Sequence, residues 1–303
     1  MKPHRILFIA PTRIGDAVLA SAVLRHIAAT QPQAKVTIAT SELSAPLYEN
    51  YPLLERIIRL RKKKYSGHWI DLLREVILTR WHSVWDIRGS ATAYMLFTRR
   101  RHIFRGSTEP ISKLEQFAKQ MHTPPLPLPM LWPGTTHRAQ AESMMPEGTR
   151  YLIIAPTANW APKQWPMDHF ITLGHRLLAE GGLCHGWRPV IFSAGHERLD
   201  AIKVVEALHR YNPIDLTEGH LPLLAIYACM QRADAFIGND SGLMHMAAAS
   251  GVPTLALYGP TAHAIATFYP HGPRGRAVVE PTNIMENLTP ERVAEELGVL
   301  LAA

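Results

Sequence analysis

The sequence has few cysteines and no long apolar run. Its 303 residues include two cysteines, Cys184 and Cys229, with no other Cys or His at metal-ligand spacing. This shortage argues against a disulfide framework and a zinc site, and it is typical of a reducing compartment. No apolar run approaches the roughly 18 residues of a membrane-spanning helix, and no secretory signal is evident. We therefore expect a cytoplasmic globular protein.

Motifs of several enzyme classes are also missing. The sequence contains neither G-x-G-x-x-G nor G-x-x-x-x-G-K-[ST], which removes most support for a dinucleotide oxidoreductase or a Walker-type ATPase. It lacks a G-x-S-x-G elbow, an H-E-x-x-H pair and clustered acidic metal ligands, which weakens serine hydrolase and metalloenzyme interpretations. Candidate chemistry is left to loops at strand ends.

Charge is unevenly distributed along the chain. Residues 1–150 contain 22 Lys and Arg against 11 Asp and Glu, whereas residues 151–303 contain 10 against 14. Two basic clusters lie in the front half, at residues 59–64 and 99–105. Such clusters are either solvated surface charge or a surface for an anionic partner, namely nucleic acid, an acidic membrane leaflet or a phosphorylated acceptor. Nucleic acid is disfavoured because the clusters lack interleaved stacking aromatics.

Short apolar runs alternate with amphipathic stretches, which predicts an α/β fold with right-handed crossovers and mostly parallel sheets. A proline-rich segment at residues 124–134 predicts a stiff linker between two doubly wound halves. We expect Rossmann-like domains over residues 1–140 and 141–303, with the last helix packing back on the N-terminal domain. The predicted strands are 5–10, 35–40, 56–60, 83–87, 102–105, 151–155, 189–193, 234–238 and 253–257. The predicted helices are 16–30, 67–80, 110–121, 168–180, 197–210, 222–231, 241–249 and 290–302.

The most informative segment is a strand-to-helix junction near the end of the chain. An apolar run at residues 234–237 breaks into G-N-D-S-G at residues 238–242 and continues as L-M-H-M-A-A-A. Such a junction brings backbone N–H groups, a hydroxyl and a carboxylate to one crevice. Ser241 and His245 are four residues apart and are expected on one helix face. The segment predicts a site for phosphate or sugar.

A second junction stands near the start, where the apolar run at residues 5–10 leads into P-T-R-I-G-D and then a helical pattern. Gly15 is expected to permit a tight turn, and Asp16 stands where a helix-capping or first-turn carboxylate would stand. Taken alone, Asp16 is better explained as a cap that stabilises the helix dipole than as a catalytic group.

Two further loops follow predicted strands. Lys163 lies in a loop rich in Pro and Trp, a setting that suits contact with a phosphate as well as it suits an ordinary loop. Glu197 opens a predicted helix, where it would accept hydrogen bonds from a ribose diol or favour the helix N-terminus. Taken alone, Glu197 is better explained by the helix.

Together these segments resemble glycosyltransferase family 9, the ADP-heptose:lipopolysaccharide heptosyltransferase-like enzymes of Gram-negative bacteria. The resemblance follows the chain in order: R-I-G-D at residues 13–16, D-I-R-G-S at 86–90, K-Q-W-P at 163–166, G-H-E at 195–197, G-N-D-S-G-L-M-H-M-A-A-A at 238–249 and G-V-P-T-L-A-L-Y-G-P-T at 251–261. The last two segments are highly specific, and the shorter ones are persuasive as an ordered set.

The resemblance implies a GT-B architecture, with two Rossmann-like domains facing across a cleft, the first holding mainly the acceptor and the second mainly a nucleotide-sugar donor. Asp16 matches the catalytic carboxylate, Lys163 the residue that engages the donor diphosphate, and Glu197 the ribose ligand. The other implied donor contacts are Thr157, Asn239, Asp240, Ser241, Gly242 and His245. The implied acceptor contacts are Thr12, Arg13, Gly15 and Arg88. Many members have Thr in place of Ser241, which keeps the hydroxyl.

The resemblance also implies an inverting transfer without metal or cofactor. Asp16 would take the proton of the acceptor hydroxyl, while Lys163 and helix N–H groups would stabilise the departing nucleotide diphosphate. The implied donor is ADP-heptose. The implied acceptor is a lipopolysaccharide core or a related anionic glycolipid at the inner face of the inner membrane, so the basic clusters predict peripheral association there. Two alternatives stay open: a non-catalytic nucleotide-sugar-binding protein and a nucleotide-sugar epimerase of similar fold.

Overall fold

The computed structural model describes residues 4–259 and 265–303. Contacts divide the chain into two compact units, Met1–Trp132 and Pro133–Ala303. The predicted division after residue 140 differs from this boundary because the helix at Thr135–Met144 packs within the second unit. Pro260 and Thr261, the last two residues of the G-V-P-T-L-A-L-Y-G-P-T segment, lie outside the described residues.

The first unit is a parallel sheet with helical connections. Its strands are β1 (Arg5–Ile9), β2 (Lys35–Ser41), β3 (Leu54–Leu60), β4 (Trp81–Asp86) and β5 (Thr98–Ile103). Its helices are α1 (Ile14–Thr30), α2 (His68–Val76), α3 (Thr92–Met95) and α4 (Lys113–Met121). The strand order is β3-β2-β1-β4-β5, and every pairing is parallel.

The second unit repeats this architecture with one more strand. Its strands are β6 (Tyr151–Ala155), β7 (Arg188–Phe192), β8 (Ile214–Leu216), β9 (Ala235–Asn239), β10 (Thr254–Tyr258) and β11 (Gly275–Val279). Its helices are α5 (Thr135–Met144), α6 (Met167–Leu178), α7 (Arg198–Ala207), α8 (Leu223–Met230), α9 (Gly242–Ser250), α10 (Ile265–Phe268) and α11 (Pro290–Ala302). The strand order is β11-β10-β9-β6-β7-β8, again with parallel pairings only. The last helix, α11, packs on α6, β10 and β11 of this unit.

Central strands carry continuous apolar runs because helices cover both faces of a parallel sheet. In β1 the residues from Ile6 to Ile9 are fully buried, and all five residues of β6, β9 and β10 are buried. A core cluster of the second unit includes Trp165 and Phe170 of the α6 region with Leu297 of α11. These central elements were predicted well from apolar runs alone.

Of the four edge strands in the described sheets, β3 was predicted within its bounds and the other three were predicted poorly. The strand predicted at residues 102–105 is β5 at Thr98–Ile103, and β8 and β11 were not predicted. Each of the three lies at a sheet edge, and β5 has the sequence T-R-R-R-H-I. Edge strands tolerate charge and short length because one side faces solvent, so the apolar signal that marks a central strand is absent.

The proline-rich segment has no regular secondary structure, as predicted for residues 124–134. Part of it is fastened to α1: the Leu128 carbonyl accepts from Arg25 Nη1 at 2.6 Å, and Met130 N donates to Ser21 Oγ at 3.0 Å. The segment is therefore a bound strap along the first unit up to the boundary after Trp132.

Strand order fixes where a ligand site belongs in each unit. The chain proceeds to one side from β1 and to the other side from β4, and it does the same from β6 and β9 in the second unit. In such sheets ligands bind at the carboxyl ends of the two strands where the order reverses. Ligand sites are therefore expected at the loops after β1 and β4 in the first unit, and at those after β6 and β9 in the second.

Candidate active site

In the second unit, Asn239 ties the loops after β6 and β9 together. Its side chain is fully buried; Nδ2 donates to the Pro156 carbonyl at 2.8 Å, and Oδ1 accepts from Trp165 N at 3.0 Å. Trp165 is in turn held by its indole N–H, which donates to the Leu288 carbonyl at 2.7 Å. A buried amide engaged on both sides positions these loops, which differs from the direct donor contact predicted for Asn239.

The two loops present an ion pair to the crevice. Lys163 Nζ lies 2.5 Å from Asp240 Oδ2, and the two side chains are 22% and 8% exposed. Lys163 belongs to a short turn, Ala161–Lys163, after β6, and Asp240 follows β9 directly. An ammonium has three N–H donors, so one bond to Asp240 leaves capacity for the oxygens of a diphosphate. The structure thus brings together two residues predicted separately from sequence.

Two buried polar atoms at this crevice have no hydrogen-bond partner within the described residues. They are Thr157 Oγ1, in the loop after β6, and His245 Nδ1, in the first turns of α9. Leaving a buried polar group unpaired costs about 1–3 kcal/mol, so two such groups beside an ion pair indicate a ligand site. Burial lowers the pKa of His245 to about 4 although Asp240 opposes the shift, so its imidazole is neutral at neutral pH.

The N-terminus of α9 completes this crevice. Ser241 is the N-cap residue, with its Oγ 3.5 Å from Met244 N, and Gly242 begins the helix. The predicted strand-to-helix junction is therefore confirmed. The N–H groups of a first helical turn favour an anion.

Gly238, in β9 just before this junction, has no space for a side chain, because a Cβ there would come within 2.9 Å of the Ala155 carbonyl oxygen.

Glu197 lies just beyond β7, the neighbour of β6. It occupies the N-cap position of α7, but within the described structure its carboxylate makes no capping hydrogen bond. Glu197 therefore stands at a helix N-terminus, as the explanation preferred from sequence alone requires, but its carboxylate is not used as a hydrogen-bonding cap. The side chain is 16% exposed and lies 3.8 Å from His196 Nε2. In sheets of this order, a carboxylate after the second strand accepts hydrogen bonds from a ribose diol.

In the first unit, side-chain hydroxyls fix the loop after β1. The Pro11 carbonyl accepts from Thr40 Oγ1 at 3.0 Å, and the Thr12 carbonyl accepts from Ser44 Oγ at 2.9 Å and Ser41 Oγ at 3.1 Å. All three hydroxyls come from β2 or the turn after it. The loop that leads into α1 is therefore rigidly placed.

Asp16 lies in the first turn of α1 with its side chain partly exposed. The helix begins at Ile14, and exposed Arg13 is its N-cap residue, so the cap predicted at Asp16 is not found. Gly15 is helical rather than at a positive φ, so the predicted tight turn is not found there either. A first-turn carboxylate that does not cap the helix is available for other chemistry.

Lys113, the first residue of α4, was not singled out from sequence. Helix α4 packs against α1, and Lys113 Nζ lies 4.7 Å and 5.7 Å from the ring centres of Phe104 and Phe117. Burial lowers the pKa of Lys113, and the negative charge of Asp16 partly restores it. The S-x-x-E capping box from Ser112 to Glu115 was a sequence signal that places Lys113 at a helix start.

The D-I-R-G-S segment is a turn built around buried Asp86. Its carboxylate accepts from Arg88 N at 2.8 Å and from the N and Oγ of Ser90, both at 2.7 Å. Burial raises the pKa of Asp86, and these hydrogen bonds oppose the shift. Gly89 is required here: its φ is +62°, and a Cβ would come within 2.9 Å of the Phe104 carbonyl oxygen.

This turn presents Arg88 beside β1, at the point where the strand order reverses. The guanidinium carbon lies 4.6 Å from the ring centre of Trp69 in α2. A guanidinium stacked on an aromatic ring is held in place with its N–H donors directed outward in the plane. Arg88 is therefore a positioned cation of the first unit, in keeping with its predicted acceptor contact.

A family model described as Glycosyltransferase family 9 (heptosyltransferase) matches residues 84–296. The chain belongs to glycosyltransferase family 9. It is therefore a glycosyltransferase, and the family predicted from the motifs is confirmed.

Relatives within family 9 match the whole chain. Lipopolysaccharide heptosyltransferase 2 of Salmonella typhimurium is 25% identical, over 98% of this chain and 99% of its own length. The structure of E. coli ADP-heptose lps heptosyltransferase II has a TM-score of 0.77 at 22% identity, covering 98% of both chains. A glycosyl transferase family 9 structure from Veillonella parvula has a TM-score of 0.82 at 18% identity, covering 99% of this chain and 97% of the other. These structures share the two-unit α/β fold, and the predicted GT-B class is confirmed.

The first basic cluster of this family 9 protein is largely paired with carboxylates. Its ion pairs are Arg59 with Glu49 at 2.9 Å, Arg61 with Glu42 at 2.8 Å and Lys63 with Asp71 at 2.6 Å. Surface pairs of this kind contribute about 0–1 kcal/mol each, but they reduce the net charge offered to a partner. The cluster at residues 59–64 is therefore less cationic than its sequence suggests.

The second basic cluster has different partners. Arg101 donates to the carbonyls of Ala93 and Leu96 at 3.0 and 2.6 Å, and Arg105 donates to the Tyr94 hydroxyl at 2.6 Å. These are neutral acceptors, so the positive charge is retained. Of the two basic clusters, the one at residues 99–105 is therefore the stronger candidate for binding an anionic partner.

Two further findings concern residues 4–259 and 265–303 only. No three His, Cys, Asp or Glu side chains in that part of the chain are grouped so that they could hold a metal ion. No helix there combines the length and apolar character needed to cross a membrane. Cys184 and Cys229 are buried free thiols whose pKa burial raises to about 12.

Proposed function

We propose that this chain transfers heptose from ADP-heptose, with inversion, to a lipopolysaccharide core or a related anionic glycolipid. Two of the proteins named above, those from Salmonella typhimurium and E. coli, are lipopolysaccharide heptosyltransferases, and the E. coli structure is of an ADP-heptose enzyme. The proposal assigns the donor to the second unit and the acceptor to the first.

The observation that carries the proposal is the second unit's crevice. It combines the Lys163–Asp240 pair with the unpartnered atoms Thr157 Oγ1 and His245 Nδ1 at the N-terminus of a helix. A nucleoside diphosphate satisfies each of these groups, since its oxygens accept from the ammonium, the hydroxyl and the helix N–H groups. Glu197, after the neighbouring strand, is the proposed ligand of the ribose. Lys163 and the helix N–H groups also stabilise the charge that develops on the departing ADP.

Asp16 is the proposed general base. A sugar hydroxyl is a poor nucleophile at neutral pH, and a positioned carboxylate that accepts its proton contributes typically about 10²- to 10⁴-fold to the rate. Attack on the anomeric carbon from the side opposite the leaving diphosphate inverts that centre. The diphosphate charge is met by Lys163 and helix N–H groups in this proposal, so no step requires a metal or cofactor.

Arg88 and Lys113 are the proposed contacts for anionic groups of the acceptor, together with the loop carrying Thr12 and Arg13. Arg88 is fixed on Trp69, and Lys113 is fixed over two phenylalanine rings on the helix that packs against α1. Two positioned cations in the unit that carries the base suit phosphate or carboxylate groups on a sugar acceptor.

The proposed location is the cytoplasm, with peripheral association at the inner face of the inner membrane. An anionic glycolipid acceptor resides at that surface, and polybasic surfaces gain roughly 1 kcal/mol per Lys or Arg near anionic lipid. The side chains at residues 99–105 retain their charge and are the favoured contact.

Product analysis tests the function. Purified protein is incubated with ADP-heptose or other nucleotide-sugars, with and without truncated lipopolysaccharide cores, and product masses are read. We expect a single heptose added to the core and ADP released only when both substrates are present. Donor conversion without acceptor would instead indicate an epimerase, and binding without any turnover would indicate a nucleotide-sugar-binding protein.

A further inference from the structure

A cavity lies at the amino-terminal edge of the first sheet, the end opposite the loops that carry Asp16 and Arg88. Its volume is about 530 Å³. The residues that line it are His4, Arg5, Arg80, Trp81, His82, Phe97, Thr98 and Arg99. Three arginines and two histidines are thus gathered with no carboxylate among the described lining residues. The transfer reaction proposed above uses none of these residues.

Strand register places several of these cations side by side. Ile6 pairs with Ser83 across β1 and β4, and Trp81 pairs with Thr98 across β4 and β5. In the same register, Arg5 of β1 lies beside His82 of β4. His82 in turn lies beside Arg99 of β5. Neighbours in register on parallel strands lie about 4.8 Å apart and point to the same face. Like charges placed this way destabilise the sheet, so protonation of His82 between Arg5 and Arg99 is costly unless an anion joins them.

The two histidines reinforce this arrangement. The rings of His4 and His82 are stacked, with centroids 4.1 Å apart and planes 7° from parallel. Burial lowers the pKa of His82, and His4, Arg100 and Arg99 lower it further. The nearest carboxylate contact is from Glu55, which lies 3.3 Å from Arg5 and balances one of the charges. The remaining cations are held together at an energetic cost.

We propose that this cavity binds a phosphate group, as a second anion site separate from the sugar-transfer site. Arginine N–H groups and protonated imidazoles donate to phosphate oxygens in charge-assisted hydrogen bonds. Two sources share this chemistry: a free phosphate compound and a phospholipid headgroup. Exposed apolar side chains at the same edge, Leu78 at 95% and Phe97 at 72% exposure, are suited to contact with lipid.

Bound phosphate favours the protonated form of His82, so the His82 imidazole keeps its proton to a higher pH when phosphate is bound. The charged and titratable groups around it are His4 and Arg5 of the β1 region with Glu55 of β3, Arg80 just before β4, and Arg99 and Arg100 of β5. We expect the His82 ring signals to titrate at a higher pH with phosphate than without it.

The test uses the full chain with labelled histidines and inorganic phosphate as the probe. We expect saturable shifts of the His4 and His82 ring signals, and an affinity at least about tenfold lower in an Arg80→Gln/His82→Gln variant, because this variant loses a guanidinium and an imidazole that donate to the phosphate. His209→Gln/Arg210→Gln is the matched control, since it removes an exposed His and Arg from the second unit. Its phosphate binding should equal that of the unaltered chain.

Vesicles distinguish the two phosphate sources. Sedimentation is compared between phosphatidylcholine vesicles that contain phosphatidylglycerol and vesicles of phosphatidylcholine alone. If the cavity variant loses the binding to phosphatidylglycerol vesicles that the control variant retains, the phosphate source is a lipid headgroup. Phosphate binding without this vesicle effect supports a free phosphate compound. Absence of saturable shifts, or equal phosphate binding by the cavity and control variants, overturns the proposal. Sugar transfer to a soluble acceptor fragment is measured in parallel, so a failure of the proposed function is seen separately.

Discussion

The loops at the switch points of the two units have the same position in the sheet but differ in how their charges are balanced. In the second unit, Lys163 is paired with Asp240, and two buried polar atoms have no partner within the described chain. In the first unit, Asp16 is partly exposed, and the cations Arg88 and Lys113 rest on aromatic rings. In the proposed mechanism, the site of the second unit binds the anionic diphosphate, and that of the first unit presents the proton acceptor and two positioned cations.

This difference teaches that strand order fixes where chemistry occurs, while the side chains of two loops decide which chemistry it is. Buried, mutually satisfied groups such as Asn239 make a rigid receptor for a diphosphate. A base must instead meet a hydroxyl that arrives with the acceptor, so it remains accessible. The predictions below test this division of roles.

Asp16→Asn should have the largest effect. We expect kcat to fall by about 10²- to 10⁴-fold, because the amide cannot accept the hydroxyl proton. The rate of ADP release with saturating acceptor measures this. Asp168→Asn is the matched control, since Asp168 is an exposed first-turn carboxylate of α6. If the Asp16→Asn variant retained the turnover of the unaltered chain, Asp16 would not be the general base.

His245 makes stability depend on pH in the second unit. Its pKa is about 4 in the folded chain against 6.5 for the free side chain, so below pH 6.5 the unfolded chain binds a proton that the folded chain does not. This contribution to stability is complete above pH 6.5 and is lost as the pH falls toward 4. At pH 4.5 the loss is about 2–3 kcal/mol.

Denaturant unfolding of the unaltered chain and of His245→Gln, at pH 7.5 and pH 4.5, measures this loss. The variant should lose less stability on acidification, because Gln does not titrate. His209→Gln, at an exposed position, should behave like the unaltered chain. An identical pH dependence in the His245 variant would mean that the imidazole is not held neutral by burial.

Lys163→Met should weaken donor binding and leave the base in place. Loss of a charged hydrogen bond costs about 1.5–3 kcal/mol, which corresponds to about 10- to 150-fold in the donor KM. Lys203→Met is the control, because Lys203 is an exposed lysine paired with Asp200 on α7. If both variants have the same donor KM, the ion pair of the second unit is not part of the donor site.

Lys113→Met should have the smallest effect, confined to the acceptor. We expect its KM for an anionic acceptor to rise about fivefold to tenfold, as for one partly screened charged contact, with an unchanged donor KM. Lys119→Met, on the same helix and paired with Glu109 at the surface, is the control. A change in the donor KM instead would contradict the assignment of Lys113 to the acceptor.

The sequence predicted the central strands and both strand-to-helix junctions, because apolar runs followed by Gly, Asp and Ser are local signals. It did not predict that the Asn239 side chain would form hydrogen bonds with the backbone of Pro156 and Trp165, since those contacts join residues far apart in the chain. Lys113 was missed for the same reason: its relation to Asp16 arises from the packing of α4 on α1. Charge compensation in the cluster at residues 59–64 likewise depends on acidic residues from neighbouring elements.

Calorimetric titration with ADP tests the central claim most directly, because ADP carries the adenine, ribose and diphosphate of the donor but neither the transferred sugar nor the acceptor hydroxyl. The account predicts that Asp16→Asn binds ADP with the affinity of the unaltered chain, whereas Lys163→Met binds it at least about tenfold more weakly. Weakened ADP binding in Asp16→Asn together with unchanged binding in Lys163→Met would contradict the division of roles between the two units.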